Sequence, residues 1–560
     1  MSEWAELFKK IAHRNRIRKL RRLRRQGLNP AEIVSGLHEV RGGLSAYLKM
    51  FAFNLFCALF LAIWSQYIFF GVVEPEGLQG EFGVGLFTAL ENVLLLTLIF
   101  LWFTHCRLVK WLLILPALGM TALMPLRRML GEALITPQNI DTLLTTHVDE
   151  AAGFYSTLPV LWFVTPILLL GIALFLIAKS APFATPGARL KHRLLIIVLP
   201  FLALIVFAIG GIGYLTGQLD RQVREPSWMP IAEIPGQKKV NNYVVVIGES
   251  LRTDALSRFG QHYATTLYLD RVPTHGVRMI APSFSTMEAV PRMLALTELN
   301  HQEVAKEGLT AEVEPENNIL ALAKSAGLTT YWLSAQRRTG AKNLPISMIA
   351  RSADEVHFVN HYDDFALVTL LEALLDKEKD VRRLFVLHTY GSHENVCDRV
   401  MGFGKPYQTG KGELMDCYLA SAHKMDSLLE QLAGVFQKRG ESFSMIYLSD
   451  HAVDFKKERD EIVSVRDPLS QKQYEVPFIE LGDTVTESKT AVYERSSMRF
   501  TSYFPTWIGV TTNLTPARWD VFEAPNEGLY IVDQHRKLMN FKHLKPGLSM
   551  KALLGHCGGF

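Results

Sequence analysis

The sequence predicts a chain in two parts, five membrane-spanning helices followed by an α/β domain with a mainly parallel sheet. Three observations carry that prediction. Nearly all the long apolar runs lie before residue 217. Beyond residue 240, short β-branched and aromatic runs alternate with longer stretches of helical periodicity, the pattern of strands joined by crossover helices. At 560 residues, with hydrophobic side chains at 49% and charged ones at only 20%, the chain is too long and too unevenly apolar for one soluble domain. The expected boundaries are a basic segment at 1–45, membrane helices over 46–217, a polar linker at 218–240 and a globular domain over 241–560.

The net charge of +4 says little, but its distribution says more. Residues 9 to 25 hold ten Lys or Arg and no acid. Directly ahead of a membrane helix, such a segment retains the N-terminus in the cytoplasm and touches anionic lipid; nucleic-acid binding is the lesser reading. A cleaved signal peptide does not fit, because the following apolar stretch is too long and lacks a small-residue cleavage site.

The apolar runs fall near 50–73, 86–106, 111–126, 158–178 and 194–215, and most approach the roughly 20 residues that cross about 30 Å of hydrocarbon. The third is the weakest, being short and containing Pro116 and Gly119. Glu91, near the start of the second, suits an interfacial position better than a deep functional one. Arg107 and Lys110 in one loop, and Lys179, Arg189, Lys191 and Arg193 in another, place those loops in the cytoplasm. Glu74, Glu76 and Glu81 stand in a loop without cations. Five crossings then put everything after residue 217 outside. Cys397, Cys417 and Cys557 fall in that exported part, where disulfides persist; Cys397–Cys417 is the preferred pair, although three cysteines leave the connectivity open.

In the exported part, strands are expected at Tyr243–Ile247, Val277–Ile280, Thr329–Leu333, Glu355–Phe358, Leu384–Leu387, Ser444–Leu448 and Val476–Leu481, with helices around 316–326, 365–377 and 418–438. Open parallel sheets bind ligands beyond the carboxyl ends of their strands. Three segments deliver chemistry there: Val244 to Ile247 ending in Gly248-Glu249-Ser250, Phe385 to Leu387 ending in His388 to His393, and Met445 to Leu448 ending in Ser449-Asp450-His451. Glu, Asp and His are the oxygen and nitrogen ligands that zinc accepts. Three such ends converging on one sheet edge point to a metal site.

A nucleophile is offered by the run Pro282 to Val290, which contains Ser283, Ser285 and Thr286 between a strand and a helix. Alone, Ser285 and Thr286 read as helix caps. Beside a metal, a hydroxyl at a helix N-terminus suits a phosphoryl group.

With the ordered motifs Ile-Gly-Glu-Ser, Gly-Ser-His and Ser-Asp-His, together with Asn139-Ile140-Asp141-Thr142 and Asp149-Glu150-Ala151 ahead of them, the sequence resembles the phosphoethanolamine transferases of the alkaline-phosphatase (sulfatase-like) superfamily. It most resembles those that act on osmoregulated periplasmic glucans, through Val396-Cys397-Asp398-Arg399 and Cys417-Tyr418-Leu419. The resemblance implies an alkaline-phosphatase-like fold and a multi-pass protein of the bacterial inner membrane with its catalytic domain in the periplasm. It implies Zn²⁺ held by Glu249, Asp450 and His451 and touching the nucleophile Thr286. His393 would face the substrate phosphate or a second metal, with His388 as a weaker companion. The implied donor is phosphatidylethanolamine, and the implied acceptor a periplasmic glucan or lipid A/lipopolysaccharide.

This sequence departs from the family pattern at three places. Ala452 follows Asp-His where Gly is usual, Arg466 stands near the usual His, and Pro282 and Arg292 occupy the neighbourhoods of bracketing cysteines. Arg466 keeps the capacity to hold a phosphate. Rival readings are a phosphoglycerol transferase using phosphatidylglycerol and a non-catalytic membrane partner protein. A sulfatase is disfavoured because no Cys/Ser-x-Pro-x-Arg motif lies near Thr286.

Overall fold

The computed structural model describes residues 30–70, 82–104, 109–130, 155, 158, 160–180, 224–297, 307–309, 311–336, 345–359, 363–377, 381–458, 461–491, 494–516, 519–523, 528–533 and 536–555. They divide into two compact units, one drawn from Met1–Met124 and Phe163–Ala208, the other from Pro125–Trp162 and Ile209–Phe560.

The apolar runs of the N-terminal half form the helices α1 (Pro30–Ser65), prolonged by a π turn at Gln66–Phe70, α2 (Phe82–Thr104), α3 (Ile114–Leu130) and α4 (Val164–Lys179). Among the described residues two stretches, Leu48–Phe69 and Val160–Lys179, are long and apolar enough to cross a membrane. That is fewer than the five expected. α3 has 17 residues after a 3₁₀ turn at Val109–Leu113, which at 1.5 Å per residue falls short of the hydrocarbon thickness. α2 contributes the shorter apolar stretch Asn92–Leu101, and the run at 194–215 lies outside the described residues.

In the N-terminal unit Ala58, Ala62, Ala117 and Ala173 are fully buried together with Leu61, Ile68 and Ile177, while Leu94, Leu98, Leu115, Leu168 and Phe175 face outward. Lys110 Nζ donates to the carbonyls of Ala178 at 3.1 Å and Ser180 at 2.6 Å. It thereby satisfies groups at the C-terminus of α4 that lack intrahelical partners.

In the C-terminal unit all seven expected strands form: β1 (Asn242–Gly248), β2 (Thr274–Ile280), β3 (Thr329–Ser334), β4 (Glu355–Phe358), β5 (Arg383–His388), β6 (Phe443–Ser449) and β7 (Glu475–Gly482). Two short strands, β8 (Lys489–Thr490) and β9 (Arg495–Ser496), complete a sheet of nine among the described residues. Its order is β8-β2-β7-β6-β1-β5-β3-β4, with β9 also on β2.

The sheet is mixed. β7 runs antiparallel to β2 and β6, and every other pairing is parallel. The reversal has a local cause. Between β6 and β7 the chain makes the hairpin Asp454–Glu458/Glu461–Val465 and one 3₁₀ turn, without the crossover helix that a parallel return requires.

The helices α5 (Thr286–Leu294), α6 (Ile319–Ser325), α7 (Pro345–Arg351), α8 (Ala366–Leu375), α9 (Glu413–Arg439) and α10 (Phe500–Ile508) cover both faces. Alternation along β1 shows the layering. Tyr243, Val245 and Ile247 pack with Val290 of α5, Ile319 of α6 and Phe504 of α10, whereas Val244 and Val246 pack with Leu371 of α8 and Leu428 of α9. Every residue of β1 is buried, as expected of a central strand covered on both sides.

Candidate active site

Strand register assembles the site. β1 lies between β5 and β6, with Ile247 opposite both His388 and Leu448 and Gly248 opposite Ser449. Glu249, His388 and the Asp450-His451 pair therefore emerge side by side at one sheet edge. Gly248 is required at this crowded point, since a Cβ there would sit 2.0 Å from the Tyr447 hydroxyl. Thr286 arrives from β2 as the first residue of α5, after Ser285 in extended conformation. Ser285 occupies the cap position but makes no side-chain cap bond.

Four of the predicted residues converge. Thr286 Oγ1 donates to Glu249 Oε2 at 3.0 Å and lies 3.3 Å from His451 Nε2. His451 Nε2 is 3.3 Å from Glu249 Oε1 and 3.6 Å from Asp450 Oδ2. Glu249, Asp450 and His451 are buried, and each offers a ligand atom within 4.8 Å of the others. Asp450 Oδ1 accepts from the backbone N–H groups of Ser250 and His451 at 3.2 and 2.6 Å, whereas Oδ2 is buried with no hydrogen-bond partner. An orphaned buried carboxylate oxygen facing another carboxylate and an imidazole is costly by itself. The donor set of two carboxylates, one imidazole and one hydroxyl fits a zinc ion.

Burial opposes ionisation of Glu249, but the charges of His451 and His393, the Ser250 hydroxyl and Arg466 outweigh it and hold the carboxyl down at about 2. Burial and then the Glu249 charge push Asp450 upward. His451 is lowered to about 4, chiefly by burial against the pull of Glu249, with Arg466 and His393 adding to the fall. Its ring is neutral at physiological pH, as a ligand must be, and Nδ1 lies 2.9 Å from the Ala452 carbonyl, leaving Nε2 toward the site. The Ala452 side chain is fully buried and packs in the core.

The remaining predicted residues take different positions. His393 is half-buried on the loop after β5, its ring stacked on Tyr390 at 4.9 Å. Arg466 forms a 3.0 Å ion pair with Glu394 on that loop. His388 is 3% exposed, stands edge-on to Trp332 and has a buried Nε2 without a hydrogen-bond partner; burial drops it to about 4. Asn139 to Thr142 and Asp149 to Ala151 lie outside the described residues.

Several contributors went unread in the sequence. Ser250 adopts left-handed backbone, φ 58°, and its hydroxyl donates to Glu249 Oε1 at 2.6 Å. Gly391, φ +44°, brings the His393 loop so close that a Cβ would stand 3.0 Å from the Glu249 backbone. Buried Asp364 fixes that loop by accepting from the backbone N–H groups of Tyr390 and Gly391 at 2.6 and 3.0 Å. Ser250 and Gly391 left a sequence signal, as parts of the Ile-Gly-Glu-Ser and Gly-Ser-His motifs, and Asp364 left none. Cys397 and Cys417 form a disulfide, the preferred pair.

Residues 241–512 match the Sulfatase family. The curated relatives narrow the likeness to phosphoethanolamine transferases. OpgE of Escherichia coli K12 is 30% identical over 316 residues, 55% of this chain and 58% of that protein. A putative phosphoethanolamine transferase of Haemophilus influenzae is 28% identical over 38% of this chain and 46% of its own length. The chain spans about half the length of the curated relatives it matches. Among solved structures, the integral membrane lipooligosaccharide phosphoethanolamine transferase A of Neisseria meningitidis shares the fold, with a TM-score of 0.55 and 15% identity over 83% of this chain and 96% of that one.

Proposed function

We propose that the chain transfers phosphoethanolamine from phosphatidylethanolamine to a sugar hydroxyl of a periplasmic glucan or lipopolysaccharide, through a covalent intermediate on Thr286. In this reading the catalytic domain spans 241–560 in the periplasm, following a 218–240 linker, five inner-membrane spans within 46–217 and a cytoplasmic segment at 1–45. The observation that carries it is the Thr286 hydroxyl at the start of α5, within hydrogen-bond distance of both Glu249 and His451.

Glu249, Asp450, His451 and Thr286 would hold a zinc ion, which when bound lowers the pKa of a ligated hydroxyl and neutralises phosphoryl charge. Thr286 Oγ attacks the donor phosphorus, the Oγ–P bond forms and the bond to the diacylglycerol oxygen breaks. The proton lost by Thr286 ends on the departing diacylglycerol. A sugar hydroxyl then attacks the same phosphorus, releases Thr286 and returns a proton to it. His393 and Arg466 face the phosphate and neutralise its oxygens, with His388 behind them; phosphoryl transfer needs mostly such positioning and charge stabilisation. Anchorage at the bilayer raises the effective concentration of a lipid donor.

Incubating the full-length protein with phosphatidylethanolamine or phosphatidylglycerol tests the donor. Diacylglycerol release from phosphatidylethanolamine supports the reading. Release from phosphatidylglycerol alone assigns phosphoglycerol transfer, and release from neither in a zinc-loaded protein assigns a non-catalytic role.

A further inference from the structure

We infer that Gln336 is a positioning residue for Glu249, holding the carboxylate in the orientation that the metal site uses; this rests on the zinc reading above. Gln336 lies two residues past β3, at the same sheet edge as the proposed ligands. Ser334 is opposite His388 in the β3–β5 pairing, so the chain beyond it runs beside Thr389. The Gln336 amide nitrogen donates to Glu249 Oε2 at 3.1 Å and to the Thr389 carbonyl at 3.0 Å.

The amide orientation is dictated by chemistry. Both partners are acceptors only, so a flipped amide would set its carbonyl oxygen against two other oxygens. The backbone at this end is also fixed, because Gln336 N–H donates to Ser334 Oγ at 3.1 Å and Ser334 Oγ donates back to the Gln336 carbonyl at 3.1 Å. Glu249 is thus held at both oxygens. Oε1 accepts from Ser250, and Oε2 accepts from Gln336 and Thr286. Without Gln336, Oε2 keeps only the Thr286 hydroxyl, a proposed participant in the reaction that cannot also serve as a fixed support. Groups that orient a metal ligand in this way typically carry about 10–100-fold in metal affinity.

The test uses the full-length protein in detergent, with zinc affinity measured by competition against a chelating indicator and the thermal midpoint measured on metal-free protein. Gln336→Met keeps the side-chain volume and removes the donors; Gln336→Ala removes both and stands in if the first variant fails to fold. The expected result is a loss of about tenfold or more in zinc affinity in a Gln336→Met protein that stays folded, with a fall in the metal-free midpoint too small to account for that loss. Wild-type affinity in the variants overturns the role, and so does a fall in the metal-free midpoint that accounts for the loss. A wild-type protein that binds no zinc removes the metal reading itself, and the role of Gln336 with it.

Discussion

The Tyr418 hydroxyl donates to the Ser250 carbonyl at 2.9 Å and accepts from the Arg252 backbone N–H at 3.0 Å. It therefore holds both sides of the left-handed turn that follows Glu249. Tyr418 is the residue after Cys417, whose disulfide to Cys397 closes a separation of 20 residues. Tyr418→Phe leaves two backbone groups without their partner, and a buried unsatisfied group costs about 1–3 kcal/mol. Reduction of the disulfide should cost about 3 kcal/mol for a loop of this length. Denaturant titration of the oxidised, reduced and Tyr418→Phe proteins checks both values.

A second prediction concerns the support beneath Thr286. Glu288, in the first turn of α5, is buried between Arg292, with which it forms an ion pair, and Arg536, whose Nε and Nη2 donate to Glu288 Oε1 at 3.0 and 2.8 Å. This cluster stands where family resemblance led one to expect a bracketing cysteine. Glu288→Gln strands two buried guanidinium groups, and breaking a buried pair costs about 3–5 kcal/mol. Unfolding measurements should show a loss of that size; a change under about 1 kcal/mol would contradict the bracing role.

The third prediction is a pH dependence. Asp426 accepts from the backbone N–H groups of Tyr268 and Leu269 at 2.7 and 3.0 Å, yet burial raises its carboxyl from 3.8 to about 6. The folded chain therefore keeps a proton that the unfolded chain releases between those values. Stability from this group is fully present below pH 3.8 and is lost as pH rises through about 6. The stability difference between wild type and Asp426→Asn should shift against the wild type by on the order of 2 kcal/mol from pH 4 to pH 7. A pH-independent difference would show that Asp426 is already ionised at pH 4.

Asp450→Ala and His451→Ala should each lower bound zinc and transfer together, because each removes a proposed ligand. Zinc stoichiometry of the purified full-length variants measures this, and full occupancy in both would move the ligands elsewhere.

The central strands β1, β5 and β6 were legible because each is a short, mostly apolar run buried on both faces, and they also carried their polar ends into view. β8 and β9 were not, being two residues each and paired only through β2. α10 was hidden by Pro505, which reads as a helix breaker yet lies within the element. The convergence of Glu249, Asp450 and His451 was legible because strand ends are local signals, whereas the choice of Thr286 over Ser285 came from the family resemblance. Gln336, Tyr418 and Asp364 were not legible, since each acts through a backbone or carboxylate partner at least 26 positions away. Arg536 reaches Glu288 across 248 positions. The reversal of β7 depended on the absence of a crossover helix, which apolar patterning within the strand does not report.

The central claim is that Thr286 becomes covalently modified, and mass spectrometry of the full-length protein trapped during turnover with phosphatidylethanolamine tests it most directly. Thr286→Ala should abolish transfer while the protein stays folded, because the lost hydroxyl donates a single hydrogen bond, to Glu249, a net contribution of about 0.5–1.5 kcal/mol, up to about 3 kcal/mol for a charged partner. The account predicts a phosphoethanolamine adduct on the peptide containing Thr286, fragmenting to that residue and missing from Thr286→Ala. An adduct on Ser285, or undiminished transfer by Thr286→Ala, would contradict it.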